Sequence, residues 1–250
     1  MTMPHEHDAR ARAWNAVHAL EGQALDVEAV LGRGGCGIVL KAFDGMLHRA
    51  VAIKVMAQQL APLLKDHLVI SIAAGIRASD ICRWLGGHAR VVRAMPNTPA
   101  LVRAAVTGLY ALPGVSAQQK QHAEAILAAV GSVLWLEREE LLDALTAVSG
   151  SGPAYVFYFI EALQQAAREL GLDAAQARQL SLETFLGAAR LASQSDEDAA
   201  TLRARVTSKG GTTERALQSM EHDGVRSAIA RAIHAAHERA RELGDEFGKE

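Results

Sequence analysis

The chain has 250 residues, 50% of them hydrophobic and 22% charged, which is an ordinary globular composition and length enough for two modest domains or one large one. Its net charge of −2 argues against broad electrostatic binding to nucleic acid or acidic membranes. With only Cys36 and Cys82, and no apolar run long enough for a membrane span or a secretory signal, we expect a soluble cytoplasmic protein without disulfides.

The first half of the chain divides at about residue 57. Residues 1–56 are an atypical N-terminal segment, of which the polar residues 1–26 predict a poorly ordered tail or a short helix. Residues 57–138 alternate short apolar runs with helical patterns, which predicts a mostly parallel sheet with helices on its faces. The predicted strands are 68–73, 90–94, 107–112 and 132–136, and the predicted helices are 78–85 and a helix capped by Ser116 that runs to about 130.

Residues 139–250 change character and predict an all-helical domain. Apolar residues recur at helical spacing through 140–170 and 180–191, and further helices are predicted over 198–207 and 212–243. Such long apolar stripes belong to a domain too thin to bury them alone, so we expect an obligate dimer through residues 140–243.

A Ser-Gly-Ser-Gly-Pro run interrupts the first of these helices at residues 149–153. In a helix interior each glycine costs roughly 1 kcal/mol and proline about 3 kcal/mol, so the interruption should kink or open the helix. An opened turn leaves backbone N–H groups free to hold an anion such as a carboxylate. The alternative is a kink that lets two helices cross closely.

A second glycine pair, Gly210-Gly211, stands at a predicted helix start and is followed by Thr212-Thr213. Together with the polar triplet 207–209, its N–H groups could form another small anion-binding concavity. The alternative is plain N-capping by Thr212 or Thr213 with glycine-assisted loop closure. On the residues of each segment alone, both interpretations stay open.

Residues 147–155 and 206–213 resemble the two substrate-loop signatures of the Δ1-pyrroline-5-carboxylate reductase family, and residues 93–99 resemble its cofactor-side loop, in the family's order. The resemblance covers about residues 57–243. It implies NAD(P)H-dependent reduction of a cyclic imine to L-proline, the last step of proline biosynthesis. It also implies a Rossmann-like domain followed by an all-α dimerisation domain, with a homodimer or a higher homo-oligomer as the assembly.

The resemblance also implies roles for individual residues. Thr213 would assist protonation or hold the ring nitrogen, and no metal is required. The small-molecule substrate would be bound by Ser149, Gly150, Ser151, Gly152, Ser208, Gly210, Gly211 and Thr212. The cofactor, NADPH or NADH, would be bound by Ala73, Ala74, Gly75, Met95, Pro96 and Asn97. Hydride transfer to a C=N bond needs one set of residues for the cofactor and another for the substrate, because the cofactor and the substrate carboxylate must both be held in one orientation.

The N-terminal glycines depart from that family. Gly32, Gly34 and Gly37 form a G-x-G-x-x-G pattern, but with Val-Ala-Ile-Lys at 51–54 it resembles the glycine-rich loop and lysine strand of a protein kinase. Kinase activity is not expected, since no H-R-D or D-F-G motif follows. We therefore expect at least one β–α unit of the dinucleotide-binding half to be missing or rewritten, with these glycines only weak candidates for cofactor binding. They could precede a helix at 38–47 as a makeshift nucleotide loop, or form a kinase-like hairpin against the sheet edge.

Three hypotheses follow for the function. The first is a pyrroline-5-carboxylate reductase, either fully active or impaired by its atypical N-terminus. The second is a catalytically inactive helical dimerisation module of the same descent, and the third is a nucleotide-binding module built on residues 32–54. Cofactor binding distinguishes the first from the second, because only a reductase needs NADPH or NADH.

Overall fold

The computed structural model describes residues 26–34, 37–43 and 60–248. The predictions for residues 1–25 and for the strand at 51–54 lie outside these residues. The described chain divides into two compact units: one holds the residues up to Gly150 together with those from His237 onward, and the other is Ser151–Ala236. The domain boundaries expected at 56/57 and 138/139 stay predictions.

The N-terminal glycines lie in an antiparallel hairpin. Strand β1 (Asp26–Gly34) pairs with strand β2 (Gly37–Phe43), with Gly34 opposite Gly37, and the two form a separate two-stranded sheet. The helix considered at 38–47 is therefore wrong for residues 38–43, since they pair with β1 as a strand. Of the two predicted alternatives, the backbone matches the hairpin, while the likeness to a kinase stays a prediction.

Among the residues of the 60–248 segment, the main sheet has four strands in sequential order. They are β3 (Val69–Ser71), β4 (Val91–Met95), β5 (Ala105–Ala111) and β6 (Gly131–Trp135). Each end of these four strands lies within two residues of its predicted position. The β3–β4 and β5–β6 pairs are parallel, whereas β4 and β5 are antiparallel.

The antiparallel pair differs from the mostly parallel sheet that the sequence predicted. Only a short 3-10 helix, Thr98–Val102, joins β4 to β5. A parallel pairing needs a crossover of a dozen or more residues, so this short connection can only return the chain antiparallel. The sheet is therefore mixed, within a Rossmann-like α/β unit.

Helices cover the two faces of this sheet. Helix α1 (Ala78–Trp84) packs with Val91 in one apolar cluster, and helix α2 (Ala117–Ala128) supplies Ala123 to a second cluster with Val92 and Ala94. Because successive residues of a strand point to opposite faces, β4 contributes to both clusters and is buried on both sides. The predicted cap of α2 is confirmed: the Ser116 side chain accepts from the Gln119 N–H, and the Gln119 side chain accepts from the Ser116 N–H.

After β6 the described chain, up to Gly248, is mainly helical, as predicted. Helix α3 (Leu141–Leu145) continues into a π-helix (Thr146–Gly150), and the later helices are α4 (Gly152–Glu169), α5 (Ala174–Ser193), α6 (Ala199–Arg205), α7 (Thr212–His222) and α8 (Val225–Gly248). Helix α8 begins in the second unit, and its end from His237 belongs to the first. Within 60–248, no helix has the length and apolarity that a bilayer crossing requires.

Candidate functional site

The predicted cofactor-side residues lie at the carboxyl ends of two neighbouring parallel strands. Ala73, Ala74 and Gly75 follow β3, and Met95 ends β4 before Pro96 and Asn97. In open α/β sheets, ligands bind outside these carboxyl ends. Gly75 has φ +74°, and a Cβ there would lie 3.0 Å from the Phe247 ring, so glycine is required by both backbone and packing.

The Asn97 side chain takes over where the backbone ladder between β4 and β5 stops. Met95 is opposite Gly108, and continuing the same register places Asn97 opposite Val106. Asn97 Oδ1 accepts from the Val106 N–H at 3.0 Å, and its Nδ2 donates to the carbonyl and the hydroxyl oxygen of Ser149 at 3.3 and 3.1 Å. Asn97 thus joins the cofactor-side loop to the first residue of the predicted substrate run.

The π-helix carries the first part of the substrate run, Ser149 and Gly150. The prediction that glycine and proline open the helix here is confirmed, because α3 widens into the π-helix and α4 starts afresh at Gly152. π-turns within α-helices occur often at functional sites. A Cβ on Gly150 would lie 3.0 Å from the Met95 methyl carbon, so the cofactor-side and substrate-side residues are in close contact within this unit.

The second predicted loop lies in the other unit, at the start of α7. Gly210 has φ +73°, Gly211 is the N-cap, and Thr212 and Thr213 are the first two helical residues. Capping by either threonine, the alternative considered from sequence, is therefore wrong for this helix, because neither stands at the cap position. The Gly211 N–H donates to the Ser208 carbonyl at 3.0 Å, which closes the turn.

Glu214 was not predicted as a site residue from the sequence. Its Oε2 accepts from the Gly210 N–H at 2.7 Å, so one N–H of the predicted anion-binding loop already has a carboxylate partner. A glutamate three residues after an N-cap is a familiar capping residue and could have indicated this bond. An incoming carboxylate at Gly210 would have to replace that of Glu214.

A buried charge cluster was also missed, because its members are far apart in sequence. The Arg93 side chain on β4 is 4% exposed; it pairs with Glu139 at 3.0 Å and lies 3.9 Å from Asp143. Glu139 Oε1 also accepts from the Ala78 N–H at 2.7 Å, at the start of α1. Burial, and then the negative charges of Glu139 and Glu140, raise the pKa of Tyr110 above its usual value. The cluster fixes the strand that leads directly into Met95.

The residues at the sheet edge fit the nicotinamide half of a dinucleotide better than they fit its pyrophosphate. The edge formed by 73–75 and 95–97 could hold a nicotinamide beside Gly150. Pyrophosphate binding in Rossmann-like folds instead uses a glycine turn between a strand and a helix N-terminus. Gly32, Gly34 and Gly37 lie in the β1–β2 hairpin rather than in such a turn.

Of the first predicted substrate run, Ser149 and Gly150 belong to the Rossmann-like α/β unit and Ser151 and Gly152 to the helical unit, which also carries the second loop. Residues 139–243 match the family described as pyrroline-5-carboxylate reductase dimerisation. The pyrroline-5-carboxylate reductase of Pseudomonas aeruginosa is 48% identical over 199 residues, which cover 79% of this chain and 73% of that protein. That of Synechocystis is 46% identical over 198 residues, covering 78% and 73%.

Solved structures agree with these relatives. A pyrroline-5-carboxylate reductase from Coxiella burnetii has a TM-score of 0.74 at 45% identity, covering 78% of this chain and 73% of that one. The Plasmodium falciparum enzyme, solved with NADP bound, has a TM-score of 0.73 at 29% identity, covering 78% and 74%. The chain belongs to the pyrroline-5-carboxylate reductase family.

Proposed function

We propose that this protein reduces 1-pyrroline-5-carboxylate to L-proline with NADPH or NADH. Membership of the reductase family carries the proposal, and the contact of the Met95–Asn97 loop with Ser149 and Gly150 supports it. The reaction adds a hydride to the carbon of a protonated C=N bond, so the cofactor loop and a substrate loop must be neighbours. The substrate is small and cyclic and carries one carboxylate, which suits short backbone loops better than a large pocket.

The substrate carboxylate is assigned to two backbone loops. These are Ser149–Gly152 and Gly210–Thr212, with Ser208 as an additional hydroxyl. Because the Gly210 N–H already donates to Glu214 and the Gly211 N–H to the Ser208 carbonyl, the substrate carboxylate would have to replace these partners. Thr213, in the first turn of α7, is the proposed catalytic residue, which hydrogen-bonds the ring nitrogen or assists its protonation. The partial positive charge at the helix start favours the substrate carboxylate there.

The cofactor is assigned to the sheet edge. Ala73–Gly75, Met95 and Pro96 would hold the nicotinamide half, and the bound cofactor supplies the hydride. Asn97, predicted from sequence as a further cofactor residue, has both ends of its amide engaged by Ser149 and Val106. The choice between NADPH and NADH depends on a ribose-reading residue, which the sequence does not identify. Because the hairpin glycines do not form a strand-to-helix turn, the pyrophosphate should be held weakly.

The assembly is a homodimer or a higher homo-oligomer formed through the helical unit. On helix α4, Phe157 and Tyr158 are 65% and 71% exposed, and on α5 Leu191 is 57% exposed. Large apolar side chains exposed in this way are typical of an association surface. We place the enzyme in the cytoplasm.

Turnover by the purified 250-residue chain tests the proposal. NADPH oxidation should depend on added 1-pyrroline-5-carboxylate, and L-proline should form in equal amount, as measured by mass spectrometry. The Thr213→Val variant, which keeps the shape and loses the hydroxyl, should lower kcat while the protein stays folded. A folded oligomer that makes no proline at millimolar NADPH would instead support the inactive dimerisation module.

A further inference from the structure

The Ser149 carbonyl has an unusual position in the chain. In an α-helix it would accept from the N–H of residue 153, but residue 153 is a proline and has no N–H. The next donor, the Ala154 N–H, bonds to the Ser151 carbonyl at 3.0 Å instead. A polar backbone group left in this way needs another partner, since an unpaired one is costly when it is shielded from water.

Asn97 supplies that partner from the cofactor-side loop. Its Nδ2 lies 3.3 Å from the Ser149 carbonyl oxygen and 3.1 Å from the Ser149 hydroxyl. The amide is itself held from behind, because Oδ1 accepts from the Val106 N–H on β5 at 3.0 Å. Both ends of the side-chain amide are thus engaged, and its orientation is fixed by the sheet.

We propose that Asn97 is a positioning residue, which sets the backbone of the Ser149–Gly150 turn from the cofactor side and so shapes the substrate carboxylate site. The inference rests on the proposed function and differs from the expectation that Asn97 binds the cofactor. Met95, two residues earlier, touches the same turn beside Gly150, so the loop contacts it at two points. Movement of the Met95–Asn97 loop is thereby transmitted to the turn that binds substrate.

The variant that tests this role is Asn97→Asp. The carboxylate keeps an oxygen acceptor for the Val106 N–H but replaces the donor with an acceptor facing the Ser149 carbonyl. A matched control is Gln119→Glu in the same unit. Gln119 accepts from the Ser116 N–H at 3.0 Å and donates to the Asp66 carbonyl at 3.3 Å, so the chemical change is the same at a remote site.

Steady-state kinetics separates the two roles of Asn97. As a positioning residue, its change to Asp should raise the KM for 1-pyrroline-5-carboxylate roughly tenfold or more while the KM for NADPH stays within about twofold, as expected for one lost hydrogen bond and one repulsive contact. Gln119→Glu should leave both unchanged. A raised KM for NADPH with an unchanged substrate KM would make Asn97 a cofactor ligand and overturn the proposal, as would two unchanged values.

A second measurement does not require activity. Hydrogen exchange of peptides covering 146–152 should be faster in Asn97→Asp than in the wild type, and unchanged in Gln119→Glu. Ser149→Ala, which removes only the hydroxyl contact, should give a smaller increase and serves if Asn97→Asp does not fold. If the wild type makes no proline, the proposed function fails by itself. Equal exchange in wild type and variants would then still refute the positioning role.

Discussion

The Arg93 cluster allows a quantitative test of how the sheet is held. Arg93→Met keeps most of the side-chain length but removes the guanidinium, which leaves the nearly buried Glu139 and Asp143 without their cation. Removing one partner of a buried ion pair costs about 3–5 kcal/mol. Glu139 retains its bond from the Ala78 N–H, so we expect the lower end, about 3 kcal/mol.

For a chain of this length, 1 kcal/mol shifts the melting temperature by about 2–4 °C, so the predicted loss is roughly 6–12 °C. Circular dichroism melts at one fixed protein concentration measure it, because melting of an oligomer depends on concentration. Arg83→Met is the matched control: Arg83 pairs with Asp80 at 2.9 Å but its side chain is 58% exposed, so the loss should stay small. Adding Glu139→Gln to Arg93→Met should recover part of the stability. Equal melting temperatures for Arg93→Met and the wild type would show that the Arg93 ion pairs do not stabilise the sheet.

Other predictions follow from the remaining elements. Phe157→Glu on the exposed face of α4 should yield monomers in sedimentation velocity at micromolar concentration, whereas Gln218→Glu on α7 should not; a folded wild-type monomer would contradict the dimer. Gly211→Val places a Cβ 2.5 Å from Ser208 Oγ, and should raise the substrate KM more than it lowers the melting temperature; a large melting loss with unchanged KM would return the loop to a purely structural role. The dissociation constant of NADPH, measured by isothermal titration calorimetry, should be well above the micromolar range. The reason is that several charge-assisted hydrogen bonds to the pyrophosphate are missing, and together they are worth orders of magnitude in affinity. A micromolar dissociation constant with turnover would show that the hairpin glycines bind the cofactor. The N-cap bond from the Thr201 N–H lowers the pKa of Asp198 below 3.8, so its stabilisation is present at neutral pH and lost as the pH falls through the lowered pKa; the melting difference between wild type and Asp198→Ala should shrink in acid, and a constant difference would refute it.

Features that depend on residues close together in the sequence were predicted correctly. The four strands, the Ser116 cap and the opening before Pro153 each depend on residues within one or two turns of each other. The antiparallel β4–β5 pair was not predicted, because it depends on reading residues 98–102 as a short return rather than a crossover.

Contacts between distant residues could not be predicted in the same way. Arg93 and Glu139 are 46 positions apart, and Asn97 and Ser149 are 52 apart. No periodicity or spacing links such pairs, since they meet only when the sheet and α3 pack. The family resemblance identified the loops, but the hydrogen-bond or ion-pair partner of each side chain depends on how the chain packs.

Reductase activity is tested directly by proline formation from 1-pyrroline-5-carboxylate and millimolar NADPH with the purified 250-residue chain. We expect L-proline in equal amount to the NADPH oxidised, and much less of it from Thr213→Val. A folded, oligomeric protein that forms no proline under these conditions, with NADH tested alongside, would contradict this expectation.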